Sequence, residues 1–117
     1  MIKFKINNRV WGMDFFDPNG YSEEDGVPLG ITKYADQLIL LSNSLQEDCL
    51  YNTIKHELTH AFRWSFGFVV DTQNTSMTVA EVEEIVANFI ECFGQQVLNL
   101  SEVLFKKLLE EKNGERV

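Results

Sequence analysis

Histidine, cysteine and proline are scarce in this chain, with two of each in 117 residues. Two thiols cannot build a disulfide framework, and Cys49 and Cys92 do not form a C-x-x-C pair. They are expected to be reduced and mostly buried. No apolar run approaches the roughly 18 residues that a membrane-spanning helix needs. Positive charge is also short: 10 Lys and Arg stand against 18 Asp and Glu, for a net charge of −8. A surface this acidic repels phosphate backbones and anionic lipids, so neither nucleic acid nor membrane is expected as a partner. The first residues, Met1-Ile2-Lys3-Phe4-Lys5-Ile6, alternate in polarity and lack the apolar core of a secretory signal, so a cytoplasmic location is expected.

The apolar fraction of 44% is that of an ordinary globular protein, and the length suits one domain over residues 1–117. The first forty residues read as β. Ile2, Phe4 and Ile6 alternate with lysines, Asn7-Asn8 is a turn signal, and Arg9 to Phe16 fits the return strand of a hairpin. Asp17-Pro18-Asn19-Gly20 is a turn, and Tyr21 to Gly26 an acidic loop. Leu29–Tyr34 and Gln37–Leu41 read as two more strands around Ala35-Asp36.

The chain then turns helical. Ser44-Leu45-Gln46-Glu47 fits a capping box, and a helix from about Leu45 to Phe66 is expected, ended by Gly67. Its core stripe is Leu50, Ile54, Leu58, Ala61 and Phe62. After a connection over residues 68 to 77, Thr78-Val79-Ala80-Glu81 fits a second capping box. The spacing predicts a helix to about Asn99 with a core stripe of Val82, Ile85, Val86, Phe89, Phe93 and Val97. Gly94 inside it calls for close packing against a neighbour. A short third helix is expected over about Glu102 to Lys112. The class is therefore α+β, with a small N-terminal sheet against two antiparallel helices and a short C-terminal one.

The two histidines stand four apart, in His56-Glu57-Leu58-Thr59-His60. Two histidines placed at random would fall at this spacing about once in sixty trials, and the glutamate makes coincidence rarer still. On a helix, residues i and i+4 share a face, so two imidazoles can bind one Zn²⁺. Glu57 would then act as general base toward water on that metal. A catalytic zinc site usually has three protein ligands, and no third histidine exists. That leaves a carboxylate from the polar face of the second helix: Glu81, Glu84 or Glu91, with Glu83 about a quarter turn away. Glu84 is preferred because Asn88, one turn on, can accept the outer N–H of a ligand histidine.

The segment His56-Glu57-Leu58-Thr59-His60-Ala61-Phe62, followed by Glu84-Ile85-Val86-Ala87-Asn88-Phe89, resembles the small HExxH metallopeptidases of phages and mobile elements. These are similar to the ImmA/IrrE type, on the gluzincin side of the zincins. The resemblance covers about residues 29 to 94. It implies His56, His60 and Glu84 as zinc ligands, Glu57 as catalytic acid/base, and a short sheet ahead of the active-site helix.

The expected function is a zinc-dependent peptidase acting on a peptide or protein substrate, which adds as a strand to the sheet edge near Gln37–Leu41. One alternative is a former peptidase kept as a zinc-stabilised protein-binding module. Another is a metal-free interaction protein. Arg63, one turn past His60, is expected in a surface ion pair, with substrate binding as its functional alternative. Tyr34 and Tyr51 are expected in the core or at its rim rather than as oxyanion donors. Glu23-Glu24-Asp25 lacks the spacing of a calcium loop.

Overall fold

A computed structural model describes residues 1–20, 26, 28–68 and 76–114. The acidic run Glu23-Glu24-Asp25 and most of the connection after residue 68 lie outside them. Four strands form one sheet: β1 (Ile2–Ile6), β2 (Arg9–Phe16), β3 (Gly30–Lys33) and β4 (Leu38–Ser42). Two helices follow, α1 (Glu47–Ser65) and α2 (Val79–Gly114). The α+β class and the four strands agree with the sequence reading. Among the described residues, no helix is long and apolar enough to cross a membrane.

Strand order is β1-β2-β4-β3, with β1/β2 and β3/β4 antiparallel and β2/β4 parallel. Asn7 and Asn8 both have positive φ, 50° and 64°, which a two-residue type I′ hairpin demands and asparagine tolerates. The Asn7 amide donates to the Ser65 carbonyl at 3.1 Å, tying the hairpin to the end of α1. One face of the sheet carries Ile2, Ile6, Trp11, Met13, Ile39 and Leu41, all buried, and α1 packs on it. The opposite face exposes Lys3, Lys5 and Val10. Alternation of this kind, clearest along β1, gives the sheet one core face. Because β4 is interior, the Gln37–Leu41 edge expected to receive a peptide is already paired on both sides. The free edges among the described residues are β1 and β3.

α1 buries Leu50, Ile54, Leu58, Ala61 and Phe62, the stripe expected from its spacing. It begins at Glu47, with Gln46 as N-cap and no side-chain cap bond. The Ser44 box is not formed, because Ser44 Oγ pairs with Ser42 Oγ at 2.8 Å. The C-terminus is a Schellman turn: Gly67 has φ +75°, Phe68 N–H donates to Arg63 O and Gly67 N–H to Trp64 O.

α2 opens on the expected capping box. Glu81 N–H donates to Thr78 Oγ1 at 3.2 Å, and Thr78 N–H to Glu81 Oε1 at 3.4 Å. Three other expectations for this half of the chain are corrected. First, no break occurs after Asn99 and no separate third helix exists. Ser101 is fully buried and returns its hydroxyl to the Val97 carbonyl at 2.7 Å, within the helix rather than as a cap. Val97, Ser101, Leu104 and Leu108 make one continuous buried stripe across the expected boundary, and packing overrides the local signal. Second, Val82 and Val86 are exposed rather than core. Third, the heavy atoms nearest a Cβ on Gly94 all belong to Ile90 of the same helix, so no neighbouring element requires that glycine.

The helices run antiparallel. Near the start of α1, Tyr51 meets the Phe105 ring at 5.1 Å, and near its end Phe62 and Phe66 meet Phe93 at 6.2 and 4.3 Å. With 36 residues, α2 is about 54 Å long and sets the 52 Å long axis of the molecule. Its N-terminal part therefore runs past the end of α1.

Candidate functional site

α1 presents three faces beyond its core. Glu57 and Thr53 turn toward β3, Lys55 and Thr59 toward α2, and His56 and His60 form the crest between them. The separation follows from the 3.6-residue period acting on a helix whose opposite side is apolar. Cys49 also faces outward and is exposed, as is Cys92 on α2. The expectation of buried thiols is thus corrected for both.

On the crest, His56 Nε2 and His60 Nε2 approach to 3.2 Å. Two nitrogens each about 2.0–2.1 Å from a tetrahedral ion stand roughly 3.3–3.4 Å apart. The pair therefore already has the spacing of a chelate. The same approach serves as a single N–H···N hydrogen bond when one ring is protonated at Nε2. Burial lowers the pKa of His60 below its ordinary 6.5, Glu57 draws it back up, and His56 and Arg63 lower it further. The balance favours the neutral imidazole, the form that binds metal.

Glu57 is not a surface carboxylate. It is 6% exposed, and its Oε2 accepts the Thr32 hydroxyl at 2.7 Å. A buried carboxylate requires such partners. The cleft, about 370 Å³, lies between Pro28, Leu29 and Gly30 on one side and Thr53, His56 and Glu57 on the other. Gly30 is there because β3 comes so close to α1. A Cβ on it would sit 2.7 Å from Glu57 Cγ and 2.9 Å from both Glu57 Oε1 and Thr53 Cγ2.

Gly30 and Thr32 are the site residues that sequence reasoning passed over. A glycine inside a strand signals close backbone approach, so Gly30 was open to detection. Nothing in the sequence ties Thr32 to Glu57, twenty-five positions away.

Glu84 is not brought to the histidines. By the ring contacts, His60 lies level with about Gln95 of α2, and Glu84 is about eleven residues, or ~16 Å, further along the axis. It is exposed there, as is Asn88. Of the other candidates, Glu81 is engaged by the Thr78 cap, and Glu91 lines a groove with Lys55 and Thr59 on the α2 side of α1. Glu83 is exposed. Among the described residues, no three His, Cys, Asp or Glu side chains converge on a point where they could hold a metal ion.

The remaining candidates are structural. Arg63 donates its Nε–H to the Phe68 carbonyl at 3.1 Å and so stabilises the Schellman turn, where an ion pair was expected. Tyr34 stacks on Trp64 at 5.8 Å, and Tyr51 packs on Phe105 under the Lys55 ammonium. Both sit at the rim of the core, as expected. Comparison with protein-family models, curated proteins and solved structures finds no match to this chain.

Proposed function

We propose that the chain is a zinc-dependent peptidase whose metal is held by His56 and His60. The observation that carries this reading is the convergence of the two Nε2 atoms to 3.2 Å beside a buried glutamate in a cleft. Zn²⁺ bound there would supply Lewis acidity, acidifying water and polarising a peptide carbonyl. Glu57 is the proton carrier. Its Oε2 is held by Thr32, which leaves Oε1, on the Gly30 side, to take a proton from water and return it to the leaving amine. The Thr32 bond restrains the carboxylate rotamer, and the missing side chain at Gly30 leaves room for it.

The β3 edge borders this cleft and replaces β4 as the strand that an extended peptide would join. Glu84 as third ligand would require the start of α2 to lie nearer the crest than it does here. With no third ligating side chain at the pair among the described residues, positions are left open for water, which fits the peptidase better than a zinc-stabilised binding module, whose structural metal would be closed by four protein ligands.

The test is a peptide-library cleavage assay on the zinc-loaded chain and its Glu57→Gln variant. The peptidase reading expects cleavage by the parent and a loss of about 10²–10⁴-fold in the variant, with zinc retained. Cleavage by the variant within tenfold of the parent removes Glu57 from the mechanism. Zinc-loaded parent without cleavage leaves the binding module.

A further inference from the structure

The cleft beside Glu57 is larger than a proton transfer requires. It holds about 370 Å³, with Pro28, Leu29 and Gly30 on one wall and Asn52, Thr53, His56 and Glu57 on the other. A reacting water needs little of that, since its share of liquid volume is roughly 30 Å³. The strand and helix touch where Gly30 meets Thr53 and Glu57, and the cleft extends from there to Pro28 and Asn52.

The walls decide what fits. Thr53 donates its hydroxyl to the Cys49 carbonyl at 2.7 Å, which leaves its methyl toward Gly30. Pro28 and Leu29 are apolar, and the Leu29 carbonyl accepts the Ser42 N–H at 2.9 Å, which fixes this wall to β4. No lysine or arginine lines the cleft, and its ionisable groups are His56 and Glu57. An acidic side chain would stand beside the Glu57 carboxylate, like charge against like. A basic one would pair with the Glu57 oxygen that Thr32 leaves free and hold it away from water. A neutral apolar side chain does neither and gains by burial. Glycine or alanine would leave most of the space to water.

On the reading of this site as a peptidase, we infer that the cleft is a specificity pocket for a bulky, uncharged apolar side chain such as Leu, Met or Phe, on a residue next to the bond cut. An extended peptide paired with the β3 edge turns alternate side chains toward α1, and the one beside Gly30 enters the cleft. Asn52 is exposed, so its substitution changes the chemistry of the pocket without disturbing the core.

Two readouts keep the pocket and the peptidase reading apart. The first needs neither zinc nor turnover. The isotope-labelled full chain is titrated with the N-acetyl amides of phenylalanine, alanine, aspartate and lysine, and the backbone amide signals of Gly30, Asn52 and Thr53 are followed by NMR. The phenylalanine amide is expected to move them with at least tenfold higher affinity than the alanine or aspartate amide. Asn52→Asp adds a carboxylate and should melt within about 2 °C of the parent, because the site is exposed. It is expected to shift the preference between phenylalanine and lysine tenfold or more toward lysine. The second readout is the peptide library on the zinc-loaded chain, where bonds next to Leu, Met or Phe should be cut at least tenfold faster than bonds between small or acidic residues. Selective binding in the cleft without any cleavage removes the peptidase reading and keeps the pocket. Equal binding of the four amides, shifts that avoid Gly30, Asn52 and Thr53, cleavage without preference at either neighbouring residue, or an unchanged preference in Asn52→Asp overturns the inference.

Discussion

Replacing Thr32 by valine removes one hydroxyl and leaves shape almost unchanged. That hydroxyl donates to Glu57 Oε2 at 2.7 Å, and the glutamate is 6% exposed. A hydrogen bond to a charged group contributes about 1.5–3 kcal/mol. Water entering from the adjoining cleft replaces part of that, and valine suits an edge strand slightly better than threonine. The expected loss is therefore ~1–2 kcal/mol, which lowers the melting temperature of a chain this size by roughly 4–8 °C. Urea unfolding of the parent, Thr32→Val, Glu57→Ala and the double variant closes a thermodynamic cycle. A coupling of about 1 kcal/mol or more is expected, because each single change removes the same bond. A Thr32→Val loss under about 0.5 kcal/mol, or zero coupling, would refute the view that Thr32 holds Glu57 in place.

Gly30→Ala should destabilise the chain by about 1–3 kcal/mol, since its Cβ would stand 2.7 Å from Glu57 Cγ. An unchanged urea midpoint would mean that β3 and α1 are further apart than described. Gly94→Ala should do the reverse and raise stability by about 0.5–1 kcal/mol, because its Cβ meets only the Ile90 side chain. A loss of stability would mean that another element packs there. For pH, burial lowers His60, so the unfolded chain binds this proton more readily than the folded one. The His60 contribution is present above the unfolded value near 6.5 and is lost as pH falls below it. In metal-free protein the parent should therefore lose more stability between pH 7.5 and 5.5 than His60→Gln does, and equal losses contradict the sign.

The parts of the fold legible in the sequence were those where a local signal and the core agreed. The β1–β2 hairpin, the α1 core stripe, the Gly67 stop and the Thr78 box each rest on residues within one turn or one strand pair. Three features depended on remote partners. Strand order placed β4 inside the sheet, and no local pattern near Gln37 distinguishes an edge strand from a central one. The continuity of α2 through Ser101 is set by the surface it packs on. The exposure of Val82 and Val86 follows from α1 being shorter than α2, which turns a core-like stripe into a surface. At the site, the i, i+4 histidines were legible because helix geometry alone brings them together. The Thr32–Glu57 bond was not, since it joins a strand to a helix. The position of Glu84 depends on how far α2 overruns α1, which hydrophobic spacing does not encode.

The most direct test of the metal reading is zinc per chain, by elemental mass spectrometry on the full chain dialysed against Zn²⁺ and then against metal-free buffer. The parent is expected to retain close to one zinc, with His56→Ala and His60→Ala each retaining little. Adding Glu84→Gln to the same series shows whether that carboxylate takes part. Zinc near zero in the parent would contradict the account, reducing the 3.2 Å approach of the two imidazoles to a hydrogen bond on a helix surface.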